Sequence, residues 1–354
     1  MMADIQQRPQ PLITTHGAER AFEGPITALA ATADGLAFAV GTLDGDLIFA
    51  PLAASRAPES WHVVRAHDAA ITCLAPDPLQ RDAVLSGSED CCLTRTRTSG
   101  DITALYKGRR WVENLAVTPT HIAFSYGKSM ELRDASGERT LKVLDHPSSV
   151  TGIVFDAKGK RVFTAHYNGA SAWFVNSDAD NVRSLFWKGS HTGIAIHPKG
   201  DAIVTTMQEN DLHGWRLSDG HNMRMSGYPK KVTSLDFSRN GRWLATSGAD
   251  ALVLWPFFGG GPMGKAPREL ARLNGIFCTS VKSHPCHDAI AAGFEDGTIL
   301  LIDLSSEQIL PIRYGNGQND AITQITFTPK GGAMAFGTEG GLVGVLILNH
   351  QIVT

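Results

Sequence analysis

The chain has 354 residues, is 43% hydrophobic and 19% charged, and carries 32 basic against 35 acidic side chains, for a formal net charge of −3. This composition excludes disorder from low hydrophobicity, and the near balance of charge excludes the global positive field that drives nonspecific nucleic-acid binding. No apolar run reaches the ~18 residues of a spanning helix, and the opening MMADIQQRPQPLITTHG lacks the basic-then-apolar order of a secretory signal.

In chain order, residues 1–24 read as an N-terminal extension. After it an apolar–Thr–small–apolar motif recurs: Ile26-Thr27-Ala28-Leu29, Ile71-Thr72-Cys73-Leu74, Val150-Thr151-Gly152-Ile153, Val232-Thr233-Ser234-Leu235, Cys278-Thr279-Ser280-Val281 and Ile322-Thr323-Gln324-Ile325. Weaker copies, Val112-Glu113-Asn114-Leu115 and His191-Thr192-Gly193-Ile194, fill the gaps. The starts fall at 26, 71, 112, 150, 191, 232, 278 and 322, which are 38 to 46 residues apart. Each motif opens a first strand. A glycine turn follows, as at Asp34-Gly35 or Asn240-Gly241, then a second strand ending in small residues, as in Trp243 to Gly248. An acidic or Asn-Gly turn such as Asp44-Gly45 or Asn168-Gly169 leads to an apolar third strand, for example Ala251 to Trp255. A more polar fourth strand, such as Trp61 to Arg65, closes the unit as an antiparallel meander. Many of the 36 glycines fall on this beat and punctuate turns.

A meander of this size cannot bury both faces alone, and radial stacking of copies solves that, so the expected fold is an all-β propeller of four-stranded blades. Eight blades are predicted, with seven as the fallback, in one domain over residues 1–354. The last unit reaches Thr354 without room for a fourth strand, and the segment from about Leu12 to Glu23 is expected to supply it and seal the ring.

These units resemble the WD40-repeat family, whose marks are Gly-His before the first strand, Asp in the second-to-third turn and Trp-Asp ending the third strand. Trp-Asp itself is missing, but Trp173, Trp215 and Trp255 stand at or near the Trp position, and Ala66-His67, Asp145-His146 and Ser190-His191 echo Gly-His. Unit 2 comes nearest to the family's buried hydrogen-bond set, with His67, Ser86 and Asp90 in place and Thr96 where Trp would fall. The resemblance implies structural roles for these residues and a non-enzymatic scaffold or adaptor that docks a protein partner on the rim and channel mouth.

Two stretches imitate chemistry. Gly259-Gly-Gly-Pro-Met-Gly264-Lys265-Ala266 has phosphate-loop spacing, yet it ends in Ala where a metal-binding hydroxyl belongs and sits between two strands. It reads as an insertion. His284-Pro285-Cys286-His287-Asp288 looks like a metal cluster, but His197-Pro198-Lys199-Gly200-Asp201 occupies the same place in unit 5, so it reads as a routine turn. A metal-binding or enzymatic propeller, with a site at the channel or near His284 to His287, stays open as the alternative. Cys73, Cys91, Cys92, Cys278 and Cys286 have no framework spacing and are expected as reduced thiols in a cytoplasmic protein.

The turns entering the first strands share one rim. They hold Lys107, Arg109, Arg110 and Trp111, then Trp187 and Lys188, then Tyr228, Lys230 and Lys231, with Phe277 and Tyr314 farther on. Aromatic and Arg side chains dominate interface hot spots, and Arg binds carboxylates through paired hydrogen bonds. The expectation is a cationic–aromatic face for an acidic partner segment. No cofactor or metal is expected, neither a membrane nor nucleic acid is the expected partner, and the chain alone is expected to be a monomer.

Overall fold

The computed structural model describes residues 9–177, 179–316 and 320–348. Apart from one helical turn at Ile13–His16 and two short 3-10 turns, its regular structure is all β. Unit 1 shows the plan. Strands Ile26–Ala31, Ala37–Thr42, Asp46–Pro51 and His62–Arg65 pair antiparallel in chain order, the third buried through its middle and the fourth alternating outward.

Among the described residues the units form seven hydrogen-bonded sheets, six of four strands and one of six. The smaller count left open by the sequence is therefore the number of continuous sheets, and eight separate blades is corrected on that measure. The six-stranded sheet holds the units starting at 150 and 191. Strand Arg161–Phe174 bonds to Gly152–Phe155 through residues 162–165 and to Arg183–Ile196 through residues 167–172, turning at Tyr167-Asn168-Gly169. Arg183–Ile196 then runs on without a break and pairs with Ala202–Met207. The link between these two units is short and extended, so the ladder does not stop between them.

All eight units still place their first strands in one closed ring, each touching the next, with Ile322–Phe327 returning to Ile26–Ala31. The repeated threonine explains how. Thr72 donates to the carbonyl of Val112, Thr151 to His191 O (2.6 Å), Thr233 to Thr279 O (2.9 Å), Thr279 to Ile322 O (2.7 Å) and Thr323 to Ile26 O (2.8 Å). Asn114, in the unit without the Thr, donates to Val150 O at 3.0 Å. The motif is an inter-unit belt. Its glycine partner, at the end of the second strand, keeps the units close: a Cβ on Gly337 would stand 2.3 Å from the Ile26 side chain.

Apolar clusters fill the spaces between neighbouring units, as where Phe38, Val40, Ile48 and Trp61 pack on Ala335, Val343 and Val345. The N-terminal segment closes the ring as expected, with strand Gly17–Ala21 pairing antiparallel with Leu342–Ile347. Buried Arg313 clamps it there. Its Nε donates to Glu19 Oε1 (2.7 Å), one Nη to Gly297 O (2.7 Å) and the other to Asp320 Oδ2 (2.6 Å).

Candidate functional site

Strands of a meander alternate in direction, so turns entering first strands and second-to-third turns share one rim, and the other turns share the opposite one. On the first rim of unit 2, His67 Nδ1 donates to Asp90 Oδ2 (2.9 Å) and its Nε2 accepts from Ser86 Oγ (2.8 Å), with Thr94 extending the chain (2.8 Å from Ser86). The structure thus brings His67, Ser86 and Asp90 together. His67, Asp68 N and Cys92 N hold the Asp90 carboxyl below its ordinary range, against the opposing pull of partial burial. Thr96 faces Val84 in the ladder, and its hydroxyl is buried without a partner among the described residues.

The same architecture engages two residues of the expected docking face in contacts within the fold. Tyr228 is buried, its hydroxyl 2.6 Å from Thr246 Oγ1 and accepting Trp255 Nε1 at 2.6 Å, so it serves unit 6 as His67 serves unit 2. Burial raises its phenol far above the ordinary value. Trp187 is half-buried, stacked on His213 at 3.9 Å and 14°, and its carbonyl accepts from His191 Nε2 at 3.0 Å. Position carried this signal: Tyr228 and Trp187 stand four residues before their motifs, as His67 and His146 do. Two lysines are already engaged. Lys230 Nζ pairs with Glu295 (2.8 Å) and lies 3.9 Å from the centre of the half-buried Phe277 ring, and Lys231 Nζ donates to Gln208 (2.7 Å). Tyr314 is half-buried beside unit 8, and Lys188 is exposed.

What remains open is the loop before unit 3. Arg109 and Arg110 are exposed and enter no ion pair among the described residues, and Trp111 is 53% exposed. With Lys107 they border a cleft of about 450 Å³ walled by Tyr106 and Tyr126, whose rings stack at 5.2 Å and 13°. The Tyr126 hydroxyl donates to Glu131 Oε2 (3.2 Å), and burial followed by that carboxylate raises its phenol well above the ordinary value. A neighbouring groove of about 710 Å³ lies beside unit 4, with exposed Tyr167 and Phe186 on its edge and His146, His166 and Trp173 inside. It is built almost wholly from unit 4, between its entry turn at 145–148, its second and third strands and its fourth strand.

The imitation motifs resolve into turns. His284 Nε2 donates to Gly331 O of the next unit (3.1 Å), and its Nδ1 accepts from Cys286 N (3.2 Å) and His287 N (3.0 Å), so both nitrogens are committed. Burial lowers its pKa. Cys278 is buried, its thiol pushed up to about 12 by burial, while Cys286 is exposed. Among the described residues no three His, Cys, Asp or Glu side chains converge as a metal site. Lys265 donates to the carbonyls of Phe258 and Gly259, the use of an amine that fastens a loop. Among the described residues no helix is long and apolar enough to cross a membrane.

Seven antiparallel sheets around a ring of first strands, with polar sets built on His67 and Tyr228 in their rims, define a β-propeller. The family model of the WD domain, G-beta repeat, matches residues 220–255, the stretch containing Tyr228, Thr246 and Trp255. The chain is 27% identical over 132 residues to Pre-mRNA-processing factor 19 homolog 2 of Arabidopsis thaliana, covering 37% of this chain and 24% of that protein. It is 25% identical over 190 residues to Pre-mRNA-processing factor 19 of Oryza sativa subsp. japonica, covering 49% of this chain and 36% of that protein. The chain thus spans about a third or less of these curated relatives.

Proposed function

We propose that residues 1–354 form one propeller domain that works as a non-enzymatic, cytoplasmic scaffold and captures an acidic segment of a partner protein at the 107–111 loop. The observation carrying this reading is a pair of guanidiniums, Arg109 and Arg110, exposed without carboxylate partners among the described residues, beside the exposed indole of Trp111. An unpaired Arg gives up little on meeting a carboxylate and gains paired, charge-assisted hydrogen bonds. Trp111 supplies the rigid apolar area that such interfaces use as an anchor. Lys188 belongs to the same exposed rim, whereas Lys230 and Lys231 must first release Glu295 and Gln208.

The test is affinity capture from the native source with the wild-type chain and with Arg110→Glu/Trp111→Ala, followed by mass spectrometry. The double variant should keep its melting temperature and lose at least tenfold in recovery of the specific partner. Equal recovery by a folded variant would refute the assignment of this loop. Because exposed charges dominate, capture should also weaken as salt rises above physiological strength.

A further inference from the structure

The glycine-rich insertion is the part of the chain that the repeat does not explain. It connects the third strand of unit 6, Leu252–Pro256, to the fourth, Arg268–Leu270, and therefore lies on the rim opposite Arg109 and Arg110. Its conformation is fixed from within. Gly259, Gly260, Gly261 and Gly264 all have positive φ (60°, 91°, 104° and 73°), which side-chain-bearing residues rarely adopt. Lys265 holds the carbonyls of Phe258 and Gly259, and Lys265 N donates to Pro262 O at 3.0 Å. The result presents apolar groups to solvent: Phe258 is 39% exposed and Met263 47%.

Charge surrounds that tip. The Arg242 guanidinium and the Lys265 amine each lie 5.0 Å from the Phe258 ring centre, and Trp243 meets the same ring edge-on at 5.3 Å. Arg239 and Arg242 are exposed and make no ion pair among the described residues, while the carboxylate nearest to them in charge interaction, Asp288, is held by Asn240 Nδ2 at 2.7 Å. Beside the loop a pocket of about 440 Å³ opens toward unit 5, walled by Gly260, Gly261, Phe257, Met223 and Leu217. The two arginines in it are already neutralised, Arg161 by Asp156 and Arg216 by Asp219. The pocket's apolar wall of Phe257, Met223 and Leu217, beside a preorganised loop and the unpaired Arg239 and Arg242 of the adjacent turn, matches an apolar anchor flanked by carboxylates, with Asp201 also in the pocket lining.

We propose that the 257–265 insertion and this pocket form a second docking site, for a short acidic peptide segment carrying one large apolar side chain. The apolar side chain enters the pocket against Phe257 and Met223, and its flanking carboxylates meet Arg239 and Arg242. A single-stranded nucleic acid fits less well, because the one exposed ring already carries two cations and further rings would be needed to stack successive bases. With sites on opposite rims, the scaffold joins two partners.

The experiment selects random dodecapeptides displayed on phage against the immobilised full chain and measures the enriched sequences as fluorescein conjugates by anisotropy. Peptides with Asp or Glu around Phe, Leu or Trp should emerge. A subset should bind Arg242→Glu at least tenfold more weakly, Arg242→Lys within about threefold of wild type, and Arg109→Glu/Arg110→Glu as wild type. Equal melting temperatures show that the variants fold. The proposal is overturned if no such pattern emerges, if every enriched peptide binds Arg242→Glu as well as wild type, or if an oligouridine dodecamer displaces them at lower concentration. Peptides lost only with Arg109→Glu/Arg110→Glu would uphold the first site and sink the second.

Discussion

The seam where the ring closes and the sheet shared by units 4 and 5 meet the same demand by opposite means. At the seam the partners are remote in sequence: Thr323 and Ile26 lie 297 residues apart, Arg313 and Glu19 294. In the shared sheet the pairing is local, Tyr167 to Ser190 and Ala172 to Arg183, along two 14-residue strands that each span both units' pairings. The seam joins an apolar cluster of Phe38, Trp61 and Val345 to a short closing ladder and one charged clamp, all made between remote stretches of chain. The shared sheet accommodates His146, His166, His191 and His213 in or beside its interior because a continuous ladder holds it regardless. Long-range closure must also offset the larger entropy of the open chain, which local pairing avoids.

The largest expected effect comes from Arg313→Met. It leaves Asp320 and Glu19 facing each other without their cation, and breaking a buried ion pair from one side costs about 3 to 5 kcal/mol. The matching change in the shared sheet, Arg183→Met, removes one bond to the Leu217 carbonyl from an exposed side chain and should cost less than about 1 kcal/mol. Urea unfolding of the two variants checks this. Equal shifts in midpoint would show that the clamp is ornamental.

Acid should invert the ranking. Burial pushes the imidazoles of His146 and His213 down to about 4 and also lowers His191, and all three belong to units 4 and 5 or their entry. The seam has His284 alone among the lowered histidines. Between about pH 6.5 and 4 the unfolded chain takes protons that these folded imidazoles refuse, so stability is full above pH 6.5 and falls as pH drops. Each unit of depression is worth about 1.4 kcal/mol per histidine. The carboxylates Asp90, Asp156 and Asp303 are lowered in the fold and keep their charge in that window. Amide exchange at pH 4.5 should therefore rise over 161–174 and 183–196 before it rises over 17–21 and 342–347. Simultaneous loss of protection in both regions would contradict this account.

The repeat, the antiparallel meander and the N-terminal closing strand were legible because Ile26-Thr27, Ile322-Thr323 and their copies recur with a physical duty, the inter-unit belt. The shared sheet was not legible, since the extended path of strand 183–196 past the irregularity at Trp187-Lys188-Gly189 depends on backbone geometry and not on residue type. The rim was half legible. Arg109, Arg110 and Trp111 are as open as charge and size suggested, but Tyr228 and Trp187 are drawn inward by Trp255 and His213, partners that a list of aromatic residues does not reveal. The groove at Tyr167 and Phe186 joins an entry turn to strands about 20 to 40 residues farther along, a meeting that the repeat spacing does not reveal.

The smallest effect separates the two regions most finely. Thr323→Val and Thr151→Val each delete one hydroxyl that donates to the next unit's carbonyl, Ile26 O at 2.8 Å and His191 O at 2.6 Å, while keeping nearly the same shape. Each should cost about 1 kcal/mol in global unfolding. Their local consequences should differ. At the seam, Gln324 Nε2 to Thr27 O is a remaining cross-unit hydrogen bond, and at 3.3 Å it is a long one, so exchange over 17–21 and 26–31 should rise severalfold in Thr323→Val. In Thr151→Val, His191 stays within the unbroken strand 183–196, its imidazole tied to Thr205 and to the Trp187 carbonyl, so protection there should hardly change. If both variants loosen their neighbourhoods equally, closure over nearly 300 residues carries no weakness that local pairing lacks.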